Sequence, residues 1–520
     1  MAEISSLRID PKSGFCSSNS TFYSKRVPFP LPSNHALDIT TFISSYPHHG
    51  KTAFIDAATG RHLSFSQLWQ SVDSVSTCLS ELGIRKGNIV IIIAPNSIFL
   101  PIVCLSVMSL GAIITTSNPL NTSREFAVQM ANSKPVLVFT TAQVVPKLAG
   151  SPLPVVLLDE QVATEKTGQV KIVTTISEML KKETKDKIRV RDRVYQDDAA
   201  TLLYSSGTTG ASKGVISSHG NLMALMQSFS HLSNPDEGEQ THICAVPMFH
   251  IYGFGAFAIG KLTQGSKVVS FIKVRHEGNA VGNREVPCHL PPPGATYTLV
   301  CGGAPLSKDL INRFMEKFPS IDIRQGYAMT ESTGFGASMQ TPGECLKYGS
   351  VGLLSPNLEA KIVDPTTGTA LKVNQKGELW LRGPSIMKEA TAATLDSQGW
   401  LKTGDLCYID DDGYVYVVDR LKELIKYKGY QVPPAELEAL LLSHPQISEC
   451  CCHTVGQYPM AYVVRNSGSN ISDTALMDFV AKQVAPYKRI RKVAFVTSIP
   501  KNPSGKILRR ELIKLAISKI

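Results

Sequence analysis

The sequence lacks the features by which secreted and metal-stabilised proteins are usually recognised. Its 11 cysteines show no paired spacing typical of a zinc site, and Cys450, Cys451 and Cys452 are consecutive, which is poor geometry for a metal. The segment Met1 to Lys25 contains no apolar stretch after a basic start, so it predicts no secretory signal. These absences predict an intracellular, reducing compartment in which the thiols stay free.

Charge is scarce over most of the chain and concentrated at its end. Charged residues make up 18% of the 520 residues, hydrophobic residues make up 43%, and the net charge is +10, a balance typical of a folded protein. From Lys482 to Ile520, however, 11 lysines and arginines accompany one acidic residue, Glu511. No nucleic-acid-binding motif lies in this basic tail, so we predict small phosphorylated ligands, a nucleotide or coenzyme A, rather than nucleic acid.

One long apolar stretch, Ile89 to Ile114, has two interpretations. It has nearly the length of a membrane span, but Pro95, Asn96 and Ser97 interrupt it. The alternative is a buried strand, Ile89 to Ala94, followed by a buried helix. We favour the alternative and predict no membrane span, because each piece is too short to cross a bilayer.

Short β-rich apolar runs alternate with helical stretches between about residues 64 and 365, which predicts layered α/β units. The composition changes after Asp419, where a basic segment precedes a helix that begins at Pro433-Pro434 and runs through Ser443. We therefore predict two domains, residues 1–419 and 420–520. Other predicted elements are a helix at Phe65–Leu82 and strands at Val136–Phe139, Val155–Leu158, Gly377–Gly383 and Tyr414–Asp419.

The strongest local signal is the segment Leu202 to Gly214, in which an apolar strand leads into a loop of glycines and hydroxyls with a lysine near its end. Glycines let successive backbone N–H groups turn toward an anion, and the hydroxyls and Lys213 add donors and charge. The loop is not a Walker motif. A flexible linker is the competing interpretation, but linkers rarely follow a buried strand directly. We predict a phosphate-binding loop.

This loop resembles the signature of the adenylate-forming superfamily, which includes acyl-CoA synthetases, luciferases and nonribosomal peptide adenylation domains. Further matches follow in the family's order over nearly the whole chain. Within the superfamily, the sequence is similar to the plant 4-coumarate–CoA ligase-like group, whose peroxisomal branch includes enzymes acting on the jasmonate precursor OPC-8:0. The matching segments are Met248–Gly253, Gly302–Leu306, Gly326–Glu331, Gly399–Asp405, Asp419–Tyr430 and Pro500–Arg510.

The resemblance implies a large N-terminal domain of layered α/β subdomains and a small, mobile α+β C-terminal domain. It also implies an ATP-dependent acid–CoA ligase that uses Mg²⁺ and makes an acyl-adenylate from a carboxylic acid before forming the coenzyme A thioester. Hydroxycinnamates, jasmonate precursors and fatty acids all suit the group. Adenylation requires charge stabilisation and alignment at the α-phosphorus more than it requires a base.

The family's functional residues map onto this sequence position by position. Lys506 is the expected adenylation lysine, and Glu331 is the expected Mg²⁺ ligand. The other implied ATP and AMP contacts are Ser205, Ser206, Gly207, Thr208, Thr209, Lys213, Gly326, Thr330, Asp405 and Arg420. The implied acyl-site residues are Tyr252, Gly303, Gln325, Lys422 and Lys426.

The resemblance further implies a rotation of the C-terminal domain near residues 420–422 between the two half-reactions. The rotation would remove Lys506 and bring in Lys426 as a catalytic residue. Lys273, Lys428 and Gly429 would contact coenzyme A. His250 resembles a catalytic histidine on the route of the thiol, although a lone histidine is equally compatible with a core position.

The sequence departs from the family pattern in four places. Ala328 stands where the family usually has glycine, and a short turn is missing near residues 387–389. Residues 273–299 and 449–455 differ more widely, yet suitably chosen codons read in the next frame give family-like sequence at both places. We hypothesise that splicing or gene-model errors, or pseudogene decay, replaced these two segments, of which the first would wall the acyl pocket.

Three functional interpretations remain at this level. Lys426, Lys428 and Gly429 favour a CoA ligase over a luciferase-like adenylate-former, and the altered pocket segment gives weight to a non-catalytic nucleotide-binding protein. The last three residues, Ser518, Lys519 and Ile520, resemble the Ser-Lys-Leu peroxisomal address. They predict recognition by a peroxisomal import receptor, with the cytoplasm as the alternative location.

Overall fold

The fold was analysed in a computed structural model, which is described over most of the chain. The described residues are 7–48, 51–159, 170–182, 192–205, 213–230, 240–271, 297–303, 306, 308–387, 394–427, 430–455, 458–484, 486–501, 507–509 and 511–512.

A seven-stranded sheet, sheet A, forms the centre of the N-terminal part. Its strands are parallel except for the edge strand Lys213–Ser218, which pairs antiparallel with its neighbour. In spatial order the strands are Lys213–Ser218, Ala199–Ser205, Ile113–Ser117, Ile89–Ile93, Leu137–Thr140, Val155–Leu157 and Ile172–Thr175. The central strand Ile89–Ile93 is entirely apolar, which is typical of a strand that is buried on both faces.

Both faces of sheet A are covered, as the side chains of its central strand show. Val90 and Ile92 belong to a large apolar core with helices Phe65–Glu81 and Phe99–Met108, whereas Ile91 and Ile93 belong to a separate cluster with Phe126. Successive side chains of a strand point to opposite faces, so the sheet lies between two layers. The predicted layered α/β architecture is confirmed.

The apolar stretch that admitted two interpretations is a strand and a helix inside this core. The strand Ile89–Ile93 ends two residues before the interruption at Pro95, and every residue from Leu100 to Met108 is buried. Among the described residues, no helix is both long and apolar enough to span a bilayer. The buried-strand-and-helix interpretation is therefore confirmed.

Two further sheets have four strands each and are named sheets B and C. Sheet B has the order Thr241–Cys244, Lys267–Ser270, Thr52–Asp56 and His62–Ser64. Sheet C has the order Tyr297–Gly302, Ile321–Met329, Gly334–Ser338 and Leu353–Leu354. Both sheets are mixed, because each contains parallel strand pairs as well as antiparallel ones.

Sheet D is an antiparallel sheet of six strands that leads to the C-terminal part. Its order is Phe15–Cys16, Thr21–Tyr23, Glu359–Val363, Gly377–Arg382, Leu401–Ile409 and Val415–Arg420. Trp400 is 1% exposed beside this sheet, with the Lys361 ammonium 4.6 Å and the Arg382 guanidinium 4.4 Å from its ring centroid. Such cation–π contacts hold two basic side chains at fixed positions on the indole.

The C-terminal part contains the strands Ile425–Tyr427 and Tyr430–Val432, which form a hairpin, and a three-stranded sheet E. The strands of sheet E are Ile447–Val455, Tyr458–Arg465 and Lys492–Phe495. Helices Pro434–Ser443 and Asp473–Ala481 pack on this sheet through a core of their own, which includes Leu437, Leu441 and Leu476. The consecutive Cys450, Cys451 and Cys452 are buried in the first strand as free thiols.

The two helices whose limits the sequence predicts are found within one residue of those limits. The helix predicted at Phe65–Leu82 ends at Glu81, and the helix predicted from Pro433-Pro434 begins at Pro434. The described α-helices are Ile39–Ser44, Phe65–Glu81, Phe99–Met108, Ser123–Ser133, Ile176–Leu180, His219–Ser230, Lys308–Lys317, Pro342–Cys345, Pro434–Ser443 and Asp473–Ala481. Segments Val145–Leu148, Gly260–Gln264 and Pro486–Lys488 are 3₁₀-helical, and Gly253–Ile259 is a π-helix.

Asp419 joins sheet D to the C-terminal part. Its Oδ2 accepts a hydrogen bond from the backbone N–H of Ala435 at 2.9 Å, and its Oδ1 accepts one from the N–H of Arg420 at 2.7 Å. Pro433, the residue that precedes helix Pro434–Ser443, provides no side-chain cap, so Asp419 caps this helix from a neighbouring strand. Burial raises the pKa of Asp419 to about 6, with Arg509 and Glu423 as the charged neighbours.

The burial of Asp419 predicts a pH-dependent contribution to stability. Because the pKa of Asp419 is higher in the folded chain than its ordinary value, its contribution is complete at low pH and is lost as pH rises through about 6. Relative to Asp419→Asn, the wild type should lose about 1.4 kcal/mol of unfolding free energy between pH 5 and 7.5. Calorimetric melting of both proteins across that range measures the difference. The exposed Asp478→Asn variant is the control, and an equal slope in all three proteins would contradict the prediction.

Candidate active site

The two strands on either side of the predicted phosphate loop are neighbours in sheet A. Ser205 and Lys213 are paired residues of two antiparallel strands, and the residues between them, 206–212, lie outside the described part of the chain. The Ser205 hydroxyl is buried and has no hydrogen-bond partner among the described residues, whereas Lys213 is exposed. A buried hydroxyl without a partner is expected to receive one from a ligand, and Ser205 stands where the family's phosphate contact is expected.

A buried hydrogen bond joins the strand after this loop to the Thr330–Glu331 motif. The Ser217 and Thr333 hydroxyls lie 3.0 Å apart, and Thr333 has a positive φ of 54°. The Thr333 N–H donates to the carbonyl of Thr330 at 3.0 Å, which closes a tight turn beside the motif. The structure therefore brings the predicted residues Thr330 and Glu331 to the side of the phosphate-loop hairpin.

Sheet C aligns the predicted acyl and nucleotide residues. In its register Cys301 is opposite Gln325 and Gly302 is opposite Gly326, and the positive φ of Gly303 (83°) turns the chain away immediately after this strand. A Cβ atom at Gly326 would lie 2.8 Å from the ring of Phe335, which explains why this position needs glycine. Gln325 is buried. The predicted residues Gly303, Gln325 and Gly326 lie together where strand Tyr297–Gly302 of sheet C ends.

Asp405 and Arg420 are neighbours on sheet D, as the predicted shared contact with a ribose requires. They are paired residues of adjacent strands, and Arg420 Nε lies 3.4 Å from Asp405 Oδ1. The Tyr327 hydroxyl donates to Asp405 Oδ2 at 2.6 Å, and burial raises the pKa of Tyr327 well above its ordinary value. The Asp405 side chain is 7% exposed, so its carboxylate is held by a tyrosine from sheet C and an arginine from sheet D.

His250 stands at the start of the π-helical segment, and a buried asparagine fixes the chain before it. Asn96 Oδ1 accepts from the N–H of Met248 at 2.7 Å, while Asn96 Nδ2 donates to the carbonyl of Val246 at 2.9 Å. His250 itself is exposed, and its Nδ1 accepts from the N–H of Tyr252 at 3.4 Å. The exposed position fits the predicted catalytic role and excludes the core-histidine interpretation.

Tyr252 belongs to a group of four aromatic rings that we call the aromatic cluster: Phe229, Tyr252, Phe257 and Phe335. The Tyr252 ring meets Phe257 and Phe335 edge-to-face at centroid distances of 6.0 and 5.8 Å, and Phe335 meets Phe229 at 5.9 Å. Burial raises the pKa of Tyr252 to about 12, so its phenol is neutral at physiological pH. Because the Phe335 ring occupies the space beside Gly326, the cluster lies next to this predicted nucleotide contact.

The described residues fit a magnesium ion that is held mainly by its substrate. No group of three or more His, Cys, Asp and Glu side chains suitable for a metal occurs in the described part of the chain. Mg²⁺ in nucleotide enzymes usually takes one or two carboxylates, with phosphates and water completing the octahedron. Glu331 is the predicted carboxylate ligand, and its backbone carbonyl accepts a hydrogen bond from the N–H of Met387 at 3.1 Å. When bound, the ion would neutralise charge on the phosphates.

Several predicted residues lie outside the described part of the chain. Lys422 is described and exposed, and Lys426 lies in strand Ile425–Tyr427 with its side chain outside the description. The predictions for these residues stay predictions. Those wholly outside the described residues are Ser206, Gly207, Thr208, Thr209, Lys273, Lys428, Gly429, Lys506 and the terminal Ser518–Ile520.

Comparison with models of known protein families identifies the family to which this chain belongs. The model of the AMP-binding enzymes matches residues 43–282 and 291–389, and the model of the AMP-binding enzyme C-terminal domain matches residues 436–506. The chain belongs to the AMP-binding enzyme family. The predicted resemblance is thus confirmed, and ATP, Mg²⁺ and coenzyme A are the cofactors and substrates of this group of ligases.

Curated relatives of this AMP-binding enzyme are plant CoA ligases. It is 58% identical to probable CoA ligase CCL5 of Humulus lupulus, with 98% of each chain covered. It is 57% identical to peroxisomal OPC-8:0-CoA ligase 1 of Arabidopsis thaliana, with 98% of this chain and 99% of the relative covered. These relatives confirm the prediction of an ATP-dependent acid–CoA ligase of the 4-coumarate–CoA ligase-like group.

Solved structures confirm the predicted fold class. ATP-bound MatB from Rhodopseudomonas palustris matches with a TM-score of 0.77 at 22% identity, covering 92% of this chain and 99% of that one. The o-succinylbenzoate coenzyme A synthetase from Bacillus subtilis, in complex with ATP and magnesium ion, matches with a TM-score of 0.74 at 24% identity and the same coverages. At this identity the likeness concerns the fold, which has a large N-terminal and a small C-terminal domain.

The family match is interrupted where the sequence departs from the family pattern. The AMP-binding model skips residues 283–290, which lie within the anomalous segment 273–299, and stops at residue 389, beside the missing turn. The alignment with CCL5 spans 544 positions, more than the 520 residues of this enzyme, so some of its gaps fall in this chain. The other anomalous segment, 449–455, is accommodated in strand Ile447–Val455.

Sequence reasoning missed three residues that shape the site of this enzyme. Tyr327 holds Asp405, Asn96 fixes the backbone before His250, and Ser217 links the phosphate-loop strand to Thr333. Tyr327 lay within a matched motif, and its aromatic hydroxyl was the available signal. Asn96 and Ser217 gave no signal, because their partners are more than 100 residues away in sequence.

Proposed function

We propose that this enzyme activates an acid of the OPC-8:0 class, a cyclic oxylipin with an octanoate chain, and transfers its acyl group to coenzyme A. The 57% identity to an OPC-8:0-CoA ligase over almost the whole chain supports this acid over a hydroxycinnamate. The structural observation that supports the activity is the Ser217–Thr333 hydrogen bond, since it joins the strand that follows the predicted phosphate loop to the turn after Thr330 and Glu331. This arrangement serves an α-phosphate and its magnesium ion.

We propose that different residues act in the two half-reactions, adenylation and transfer to coenzyme A. The acid's carboxylate oxygen attacks the α-phosphorus of ATP and pyrophosphate leaves, with Lys506 bridging the carboxylate and the phosphate, and with Asp405 and Arg420 on the ribose. Domain 420–520 then rotates against domain 1–419. The thiol of coenzyme A attacks the acyl carbon beside His250 and Lys426 and AMP leaves, while Lys273, Lys428 and Gly429 hold coenzyme A.

The test is acid-dependent ATP–pyrophosphate exchange by the purified full-length enzyme. OPC-8:0, 4-coumarate and a medium-chain fatty acid are supplied separately, each at several concentrations. The proposal expects the highest kcat/KM with OPC-8:0. A higher kcat/KM with 4-coumarate or the fatty acid would reassign the acid while retaining adenylation.

A second candidate is a nucleotide-binding protein without catalytic activity, and the interruption of the family match at residues 283–290 favours it. Such a protein would bind ATP, as measured by calorimetric titration, but would show no exchange with any of the three acids. Sequencing the full-length transcript shows whether the altered segment 273–299 is encoded by the message or comes from an error in the gene model. An intact message that encodes residues 273–299 as written would exclude an annotation error.

We also propose that the enzyme is peroxisomal, and that Ser518, Lys519 and Ile520 bind the import receptor. Deleting these three residues from an enzyme with an N-terminal fluorescent tag is expected to move it from peroxisomes to the cytoplasm. The Ile520→Leu variant, which restores the Ser-Lys-Leu address, is expected to remain peroxisomal and serves as the control. Peroxisomal fluorescence of the truncated enzyme would contradict the proposal.

A further inference from the structure

Asn221 is a buried asparagine whose amide group is completely hydrogen-bonded. Its side chain is 2% exposed, and it lies in the first turn of helix His219–Ser230. The amide Nδ2 donates to the backbone carbonyl of Pro384 at 2.7 Å and to that of Ile386 at 3.0 Å. Its Oδ1 accepts from the N–H of Ser218 at 2.9 Å and from the hydroxyl of the same serine at 3.1 Å. An asparagine amide can make four hydrogen bonds, and here all four are made.

These four bonds join parts of the chain that are far apart in sequence. Ser218 is the last residue of the strand that follows the predicted phosphate loop, whereas Pro384 lies 163 residues beyond the asparagine. Ile386 and Met387 are buried in the same apolar cluster as Val215, which belongs to that strand. Hydrogen bonds and apolar contacts therefore anchor this later segment on the strand and the helix that follow the loop.

The segment that Asn221 holds is in turn bonded to the backbone of Glu331. The N–H of Met387 donates to the carbonyl of Glu331 at 3.1 Å. The Glu331 side chain is partly buried, and its carboxylate makes no hydrogen bond or ion pair within the described part of the chain. The position of this carboxylate therefore depends on the backbone that carries it.

The chain around Glu331 is thus held by two separate paths. In the first, the hydroxyl of Ser217 lies 3.0 Å from that of Thr333, two residues after Glu331. The second path runs from Asn221 through the segment that ends at Met387 to the Glu331 carbonyl. Without the second path, the turn would stay anchored at Thr333 while Glu331 itself could shift.

We propose that Asn221 is a positioning residue for the magnesium ion that accompanies ATP, because it fixes the segment whose backbone holds Glu331. This inference rests on the proposed function, in which Glu331 is the Mg²⁺ ligand. Asn221 contacts neither ATP nor the ion and acts through Met387. Residues that orient a metal ligand typically contribute roughly 10- to 100-fold to metal affinity. Loss of Asn221 should therefore weaken the binding of ATP with Mg²⁺ more than the binding of ATP alone.

The experiment is calorimetric titration of the full-length enzyme with ATP, without acid, so that no acyl-adenylate forms. Each protein is titrated in Mg²⁺ and in EDTA, and the gain in ATP affinity that Mg²⁺ produces is compared. Asn221→Ala is expected to lower this gain about tenfold, with little change of the affinity in EDTA. Glu331→Gln, which removes the ligand itself, should lower the gain at least as much.

Three results would overturn the inference. The first is a wild-type gain in Asn221→Ala. The second is an equal loss of ATP affinity with and without Mg²⁺, which would indicate a merely structural role. The third is a wild-type gain in Glu331→Gln, because Glu331 would then not be the ligand that Asn221 positions.

Gln196→Ala is the matched control for the loss of a buried amide. Gln196 is also buried, and its Nε2 donates to two backbone carbonyls, those of Pro32 and Asn34, each at 2.8 Å. Its removal should lower the melting temperature, as the removal of Asn221 does, because buried carbonyls lose their donors. The gain from Mg²⁺ should stay at the wild-type value, and an equal fall in this control would contradict the inference.

Asn221→Asp keeps the inference testable if the alanine variant does not fold. It retains the shape of the side chain and the acceptor for Ser218, but it offers no donors to the carbonyls of Pro384 and Ile386. The same selective loss of the Mg²⁺ gain is expected. If wild-type enzyme shows no exchange with any acid, the proposed function fails, whereas the titrations still decide the role of Asn221.

Discussion

Replacing Lys506 with alanine is expected to lower acid-dependent ATP–pyrophosphate exchange about 10²- to 10³-fold. As the carboxylate attacks the α-phosphorus, negative charge is spread over the oxygens around the phosphorus and over the departing pyrophosphate. A lysine that bridges the carboxylate and the α-phosphate would stabilise this charge where little water competes. The same variant should transfer a preformed acyl-adenylate to coenzyme A at a nearly normal rate. Single-turnover assays with ATP and acid, and with synthetic acyl-adenylate, measure the two rates.

Lys501→Ala is the matched control for this prediction. Lys501 lies five positions before Lys506, and its ammonium pairs with Glu449 at 2.9 Å. The variant removes the same charge from the same segment without removing the expected catalytic group. If both lysine variants lose exchange to the same extent, the effect belongs to the basic charge of the segment and Lys506 has no special role.

Replacing Asp405 with alanine is expected to raise KM for ATP about 10- to 100-fold, the value of a lost hydrogen bond to a charged group. The carboxylate is buried and oriented by Tyr327 and Arg420, so it is fixed before a ribose binds. Ordering it therefore costs little at the moment of binding. Initial rates at varied ATP concentration measure the change, and calorimetric titration with ATP checks that it reflects affinity.

Tyr327→Phe separates the orienting role from the binding role. It removes the hydroxyl that donates to Asp405 but leaves the carboxylate that is expected to bind the ribose. KM for ATP should rise no more than about tenfold, because ordering one freed side chain costs only about 0.5–1.5 kcal/mol. An increase as large as that in Asp405→Ala would mean that Asp405 acts by holding Tyr327 and sheet C in place. The predicted contact with the ribose would then be wrong.

The fold could be predicted from sequence where local signals are strong. The interruption at Pro95 separated strand Ile89–Ile93 from helix Phe99–Met108, and Pro434 marked the start of a helix. These signals depend on neighbouring residues only. The strand boundaries moved by one or two residues, as at Val136, because apolar runs do not show where the ladder of hydrogen bonds ends.

The sequence predicts which residues form the candidate site but not which contacts they make. The motifs named Asp405 and Arg420, yet their adjacency depends on the register of two strands with a bulge between Leu406 and Cys407. The partnership of Arg509 with Glu438 joins residues 71 positions apart and has no local signature. Composition and spacing contain no information about such pairs, which arise from the packing of whole elements.

Trp400, which is buried and contacts Lys361 and Arg382, is one of the few residues that give the protein its intrinsic tryptophan fluorescence. The chain has three tryptophans, Trp69, Trp380 and Trp400, and all precede residue 420. Intrinsic fluorescence therefore comes from the larger part of the molecule, and an opening or melting of residues 420–520 would leave the emission nearly unchanged. A tryptophan introduced at the exposed Tyr458 would make the smaller part visible and would let its motion be timed during turnover.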